Sequence, residues 1–217
     1  MSTPHIVIAD YGAGNLLSVA RALAASGAEA EVTGDPQRIA TADRLVLPGV
    51  GAFGDCMTAF LARGLRAPVL EFVATGRPML GLCVGMQLLF ERSTEFGHHE
   101  GLSIIPGEVH EIPKHDAEGR PHKTPHIGWT DLQHPGDTGP ASWDKSLLKG
   151  LPGGTSMYFL HSFAAWPTNP ANRLADARFN GHLIAAAVTK DNVTGTQFHP
   201  EKSGAAGLAL LRNFLEI

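Results

Sequence analysis

A cysteine flanked by glycines is the first candidate for chemistry in this chain. Within Gly81–Gln87 (GLCVGMQ), Cys83 lies between a strand-like and a helix-like stretch, with a glycine two residues to either side. This spacing is that of a nucleophile elbow with cysteine in place of serine. A thiolate at a helix start meets the positive end of the helix dipole, and the Val84 amide becomes a candidate oxyanion donor. The same cysteine could instead be a small buried hydrophobe at a tight packing point.

A thiol nucleophile needs a base, and the sequence offers one near its other end. His199 and Glu201 stand two residues apart in QFHPE, at the end of the strand-like stretch Val193–Phe198. If that stretch lies beside the elbow strand, His199 can accept the thiol proton while Glu201 fixes the imidazole tautomer. A His-x-Glu pair in a loop is weak evidence alone. Together with the elbow it predicts a Cys83–His199–Glu201 triad.

A second glycine-rich turn is the candidate for the rest of an oxyanion hole. Pro48–Gly54 (PGVGAFG) follows an apolar stretch, and open α/β sheets bind ligands at the carboxyl ends of their strands. No Lys-Ser/Thr pair follows, so the turn is not a phosphate-binding P-loop. We expect backbone amides of Gly49, Val50 and Gly51 to face Cys83. A turn needed only for backbone shape would carry the same glycines.

The first half of the chain alternates strand-like and helix-like stretches, which predicts a parallel sheet covered by helices on both faces. The predicted elements of this half are strands at His5–Asp10, Glu29–Thr33, Arg44–Leu47 and Pro78–Leu82, and helices at Asn15–Ser26, Asp55–Arg63, Val69–Thr75 and Met86–Glu91. From Gly97 onward the apolar runs are short and strand-like, with Ser103–Ile105 among them, and a helix from Ala205 to Glu216 closes the chain. The expected fold class is α/β, a mixed central sheet with helices on both faces and a more antiparallel C-terminal half, in a single domain over residues 1–217.

Composition excludes several function classes. The 217 residues include 17 Lys and Arg and 21 Asp and Glu, which gives a net charge of −4. This balance lacks the excess of positive charge typical of proteins that bind nucleic acid or an anionic membrane. No apolar run approaches the roughly 20 residues of a spanning helix, and the first residues do not read as a signal peptide. Cys56 and Cys83 are the two cysteines, which favours reduced thiols and a cytoplasmic protein.

Histidines crowd one stretch of the chain, from His98 to His134. No HExxH or paired-cysteine spacing accompanies them, so we expect a solvated, loop-rich region and neither a metal nor a cofactor.

These motifs resemble those of the triad (class I) glutamine amidotransferases, whose elbow reads GxCxGxQ and whose last motif reads HPE. Within that group the chain is most similar to the glutaminase subunits of imidazole glycerol phosphate synthase. The stretches that carry this similarity are Asp10–Asn15 (DYGAGN), Leu47–Phe53 (LPGVGAF), Cys83–Glu91 (CVGMQLLFE), His126–Trp129 (HIGW) and His199–Ser203 (HPEKS). The resemblance therefore spans the chain and implies a flavodoxin-like fold.

The resemblance also implies a reaction. Cys83 would attack the side-chain amide of glutamine and release ammonia, after which water would free glutamate from the thioester. Gln87 and Glu95 match positions that hold the bound glutamine, while Ser162 and Phe163 lie where its backbone is contacted.

The partner implied by the resemblance is a (β/α)8-barrel cyclase subunit, bound as a heterodimer. It uses the ammonia on a ribonucleotide to give imidazole glycerol phosphate and an aminoimidazole carboxamide ribonucleotide, in histidine biosynthesis. The positions matching that interface are Asn15, Trp129, Tyr158 and Lys202. Two residues depart from the family pattern: Thr130 stands where Asn is common, and Phe163 where Tyr is common.

Two alternatives remain at this stage. The chain could be the glutaminase subunit of another synthase, such as that of pyridoxal phosphate, anthranilate or GMP. It could also be a non-catalytic binding module of the same fold, which would form no thioester at Cys83.

Overall fold

The computed structural model describes residues 4–136 and 143–217. Thirteen strands are present in this part of the chain: β1 Ile6–Ala9, β2 Ala30–Thr33, β3 Arg44–Gly49, β4 Met79–Cys83, β5 Arg92–Ser93, β6 His99–Glu100, β7 Gly107–Glu111, β8 His126–Gln133, β9 Ser156–His161, β10 Phe163–Pro167, β11 Arg173–Phe179, β12 His182–Lys190 and β13 Val193–Thr196. The α-helices are α1 Leu16–Ala25, α2 Pro36–Thr41, α3 Phe53–Ala62, α4 Arg66–Ala74, α5 Val84–Gln87 and α6 Gly204–Glu216.

The central sheet has nine strands in the order β2-β1-β3-β4-β13-β12-β11-β8-β9. The strands from β2 to β13 in this order run parallel, and the pairs from β13 to β9 are antiparallel. A second sheet of four strands has the order β10-β7-β5-β6. The predicted α/β fold class, with a mixed sheet and a more antiparallel C-terminal half, is confirmed.

Helices cover both faces of the parallel strands, which explains why the inner strands β1 and β4 are apolar throughout. Side chains alternate between the faces along β1: Val7 packs into the core that holds Phe60 of α3 and Phe72 of α4. Its neighbour Ile8 belongs instead to the core formed with α1 and α6. The carboxyl ends of β3, β4 and β13 consequently lie together at one edge, where the candidate motifs are found.

Two predicted elements near the elbow are wrong. The helix after Cys83 ends at Gln87 instead of continuing to Glu91, and Ser103–Ile105 is not a strand. Both differences have one cause, because the backbone carbonyls of residues 88–90 accept hydrogen bonds from the amides of residues 102–105. Those pairings replace further helical turns, and they hold the 102–105 segment against the elbow.

The histidine-rich stretch is also more ordered than predicted. His126 lies in β8 with 2% of its surface exposed, and its ring stacks on Phe159 and Phe179 at centroid distances of 4.8 and 4.1 Å. The expectation of a solvated, loop-rich region is therefore wrong for this residue. Among residues 4–136 and 143–217, no helix is long and apolar enough to cross a membrane.

Candidate active site

The elbow is a sharp turn between β4 and α5. Cys83 has φ 53° and ψ −112°, a conformation that non-glycine residues rarely adopt and that marks functional turns. A Cβ on Gly85 would lie 1.8 Å from the Leu47 carbonyl oxygen, and one on Gly81 would lie 2.9 Å from the Gly85 oxygen. The two glycines of the motif are therefore required by close backbone packing, which holds the cysteine at the edge of the sheet.

The sheet brings His199 to the same edge. β13 pairs in parallel with β4, with Thr196 opposite Leu82, so the chain leaving β13 emerges beside Cys83. His199 Nδ1 lies 2.8 Å from Glu201 Oε1, and the two side chains are 4% and 2% exposed. A short 3-10 turn over Pro200–Lys202 fixes their spacing.

The pKa of His199 depends on both Cys83 and Glu201. Burial lowers the pKa of His199, but hydrogen bonds to Cys83 and to Glu201 outweigh burial and raise that pKa to about 9. Because an opposite charge on either neighbour favours the imidazolium, the arrangement favours proton transfer from the thiol to the imidazole.

Ser203 ties the backbone of His199 to β9. Its hydroxyl donates to the His199 carbonyl at 2.6 Å and accepts from the Tyr158 amide at 3.0 Å, while the His199 amide donates to the Tyr158 carbonyl at 2.9 Å. We call this set of contacts the Ser203 bridge. It fixes the imidazole relative to β9, and the sequence motif HPEKS was its only signal.

The thiol and imidazole open into a small cavity of about 120 Å³. Its lining residues include most of the predicted site: Val50, Gly51, Cys83, Val84, Gln87, Glu95, Ser162, Phe163 and His199. Gly49 is not part of the lining, because it pairs with Cys83 within the sheet and packs against Gly85. Glu201 is not in the lining either, and it lies behind His199, hydrogen-bonded to Nδ1.

Two glutamine side chains connect the cavity wall to the sulfur. Gln87 Nε2 donates to the Phe163 carbonyl and to Gln197 Oε1, both at 3.0 Å. Gln197 Nε2 then lies 3.7 Å from Cys83 Sγ. Gln197 was not among the predicted site residues, although it stands two residues before His199 in the QFHPE motif.

A carboxylate stands in the cavity wall. Burial raises the pKa of Glu95, and its Oε2 accepts a hydrogen bond of 2.7 Å from the Phe53 amide at the start of α3. The contact fixes this carboxylate where it can meet a cationic group of a ligand. Together the cavity offers an acceptor for an amine, polar amides and a nucleophile, which suits a small amino-acid amide.

Three of the four predicted interface residues form one exposed cluster. Trp129 on β8 pairs with Tyr158 on β9, their rings meeting edge to face at 6.0 Å, and Trp129 is 58% exposed. Lys202 Nζ lies 5.8 Å from the Tyr158 ring. Asn15 instead caps α1, with its side chain accepting from the Ser18 amide. We call Trp129, Tyr158 and Lys202 the aromatic cluster.

Comparison with known proteins gives consistent matches over the whole chain. Residues 7–217 match the family model described as glutamine amidotransferase class-I. Imidazole glycerol phosphate synthase subunit HisH 1 of Legionella pneumophila (strain Paris) is 48% identical over 212 residues, covering 98% of this chain and 99% of that protein. Subunit HisH of Syntrophotalea carbinolica is 49% identical over 212 residues, covering 96% and 98%. The solved structure of PurLQS from Thermotoga maritima, 18% identical, covers 99% of both chains with a TM-score of 0.72.

Proposed function

The chain belongs to the class I glutamine amidotransferase family, and from this membership we propose that it is the glutaminase subunit of an imidazole glycerol phosphate synthase in histidine biosynthesis. The observation that carries the proposal is the cavity in which Cys83, His199 and the Val50–Gly51 turn meet. The relatives named HisH, similar over nearly their whole length, support the choice of synthase.

The proposed reaction begins when Cys83 Sγ attacks the side-chain carbonyl carbon of glutamine. His199 accepts the thiol proton, and the amide nitrogen takes that proton as ammonia leaves. Amides of Val84 and of Val50 or Gly51 would stabilise the oxyanion of the tetrahedral intermediates. A water molecule, deprotonated by His199, then attacks the thioester and releases glutamate with regeneration of the thiol.

Glu201 has the orienting role in this scheme. Its hydrogen bond to His199 Nδ1 leaves Nε2 free to face the sulfur and stabilises the imidazolium that forms. Glu95 is placed to bind the α-ammonium group of glutamine, while Gln87 and the backbone of Ser162 and Phe163 hold the rest of the substrate.

The partner in this proposal is a (β/α)8 cyclase subunit, bound as a heterodimer at the aromatic cluster. Exposed tryptophan and tyrosine rings are typical of the residues that become buried anchors in protein interfaces. The cluster also touches the catalytic backbone through the Ser203 bridge, which gives a docked partner a short path to His199. We further propose a single glutaminase domain and a cytoplasmic location, where two free thiols stay reduced.

The test is to measure glutamate release from glutamine by the purified chain, alone and then with the cyclase subunit and its ribonucleotide substrate. A low basal rate that rises strongly in the full mixture supports the assignment. Fast hydrolysis without the cyclase, or none with it, would instead favour another synthase or a non-catalytic module.

A further inference from the structure

Two buried histidines beside the cavity have no part in the proposed reaction. His126 and His161 are 2% and 7% exposed, and His161 is part of the cavity lining. Burial lowers the pKa of His126 to about 4 and that of His161 to about 3. Stacking of His126 between the rings of Phe159 and Phe179 gives it an apolar environment that disfavours a charge. Both imidazoles are therefore neutral near pH 7.

The hydrogen bonds of this pair can run in one direction only. His161 Nδ1 lies 2.8 Å from the Phe163 carbonyl oxygen, which only accepts, so that nitrogen carries the proton. His161 Nε2 is then an acceptor, and His126 Nδ1 donates to it at 3.1 Å. His126 Nε2 is in turn an acceptor, and the Thr130 hydroxyl donates to it at 2.8 Å. One carbonyl thus assigns the tautomer of both rings.

The same carbonyl is where the chain meets the glutamine site. The Phe163 oxygen also accepts from Gln87 Nε2, so its two lone pairs are both used. The second amide hydrogen of Gln87 reaches Gln197 Oε1, which leaves Gln197 Nε2 facing Cys83 Sγ. A directed set of hydrogen bonds therefore joins Thr130 on β8 to the region of the sulfur.

We propose that His126 and His161 are positioning residues that, as neutral Nδ1–H imidazoles in a hydrogen-bond chain that ends at Thr130, hold the Phe163 carbonyl where it orients Gln87 and Gln197. A second proton on His161 would set its Nε2–H against the His126 Nδ1–H and break the chain, while one on His126 would reverse the hydrogen bond with the Thr130 hydroxyl. The inference about substrate binding rests on the proposed glutaminase function, whereas the tautomers follow from the hydrogen bonds alone. Thr130, a departure from the family pattern, acquires a role inside the fold.

The first test uses NMR of the chain labelled with ¹⁵N-histidine, with long-range ¹H–¹⁵N correlations at pH 7. Both His126 and His161 are expected as neutral Nδ1–H tautomers, which distinguishes them from the Nε2–H form common in solution. Thr130→Val removes the hydroxyl with little change of shape and leaves His126 Nε2 without its donor, so the ¹⁵N shift of that nitrogen should move towards that of an unbonded imidazole nitrogen, while Thr130→Ser should leave the shift unchanged. An Nε2–H or protonated ring in the native chain would overturn the proposal.

The second test measures glutaminase kinetics of the same variants with saturating cyclase subunit and ribonucleotide. Thr130→Val should raise KM for glutamine roughly fivefold, the effect of one lost hydrogen bond, with a smaller change in kcat. Thr130→Ser should restore KM, which a loss of packing alone would not explain. Equal KM values for all three proteins would overturn the positioning role. An inactive native chain would contradict the proposed function. The NMR measurement of the tautomers would then still test the hydrogen-bond chain by itself.

Discussion

Cys83 carries its reactive atom on a backbone conformation that is costly for any residue with a side chain. Surrounding packing at Gly85 and Gly49 enforces the conformation, so replacing the side chain should leave the turn intact. Cys83→Ser and Cys83→Ala should each lower glutamate release at least about a thousandfold, because neither supplies the thiolate. Binding to the cyclase subunit, measured by calorimetry, should stay close to that of the native chain. Comparable glutamate release by either variant would rule out the proposed nucleophile.

His199 and Glu201 give a prediction about stability as a function of pH. The pKa of His199 is raised from 6.5 to about 9 in the folded chain. The resulting stabilisation is therefore complete below pH 6.5 and is lost as pH rises through 9. Glu201→Gln should lower this pKa, since it removes the anionic partner of the imidazolium, and should reduce the free energy of unfolding at pH 6 by about 1–2 kcal/mol. The loss should shrink above pH 9.

Urea denaturation at pH 6 and pH 9.5 measures this difference. The His199→Asn variant is the control background, because it has no imidazolium for Glu201 to stabilise. In this background, the change in the free energy of unfolding caused by Glu201→Gln should depend much less on pH. An effect of Glu201→Gln that is the same at both pH values would contradict the assigned cause.

The elements around the site show what local sequence can predict. The motifs with Cys83 and with His199 each lie within a few consecutive residues, and the strand before Cys83 is a continuous apolar run, so both motifs could be predicted. The length of α5 could not, because it depends on hydrogen bonds to residues 102–105, which are distant from the elbow in sequence. Gln197 and His161 were missed for the same reason: their roles arise from partners on other elements. Apart from Gly49 and Glu201, the predicted catalytic, oxyanion and substrate-binding residues line one cavity, although their roles stay predictions.

Close packing of α5 on β3 leads to a prediction at the scale of these elements. A Cβ on Gly85 would meet the Leu47 carbonyl at 1.8 Å, so Gly85→Ala must push the elbow away from β3 and its glycine turn. We expect a loss of several kcal/mol in the free energy of unfolding and of nearly all glutaminase activity. Gly153→Ala is the matched control, because its Cβ would meet only the His134 ring at 3.5 Å. Chemical denaturation and the glutaminase assay compare the two, and a mild Gly85→Ala variant would contradict the packing argument.

At the scale of the whole molecule, we expect the cyclase subunit to bind at one end of the central sheet and not at the other. The aromatic cluster lies at the end that carries Cys83 and His199, whereas Ile217 lies near Arg44, where β3 begins at the opposite end. Trp129→Ala should weaken binding of the cyclase subunit by about 2 kcal/mol or more, as expected for an aromatic anchor. Ile217→Ala, which removes a side chain of similar exposure, should leave the affinity unchanged. Calorimetric titration with the cyclase subunit measures both, and equal affinities would place the interface elsewhere.

The overall architecture could be predicted because strand and helix periodicities alternate clearly through the first half. Beyond Glu91 the chain was less predictable: β5 and β6 were missed because two residues are too few to show a pattern, and β10 because it lacks the alternation of apolar and polar residues. Interface residues on β8 and β9 could be named from family resemblance, but their gathering into one cluster depends on the pairing of Trp129 with Tyr158.

The Ser203 bridge has a consequence for protein engineering. Tyr158 presents its ring to the exposed surface while both of its backbone polar groups hold the segment that carries His199. A designer who wished to redirect this chain to a different synthase could exchange side chains along β9, but could not insert, delete or shift a residue there without displacing His199, the proposed general base. A change of partner must therefore come from side-chain substitutions that leave the β9 backbone unchanged. Libraries at Trp129 and Tyr158 are the natural starting point.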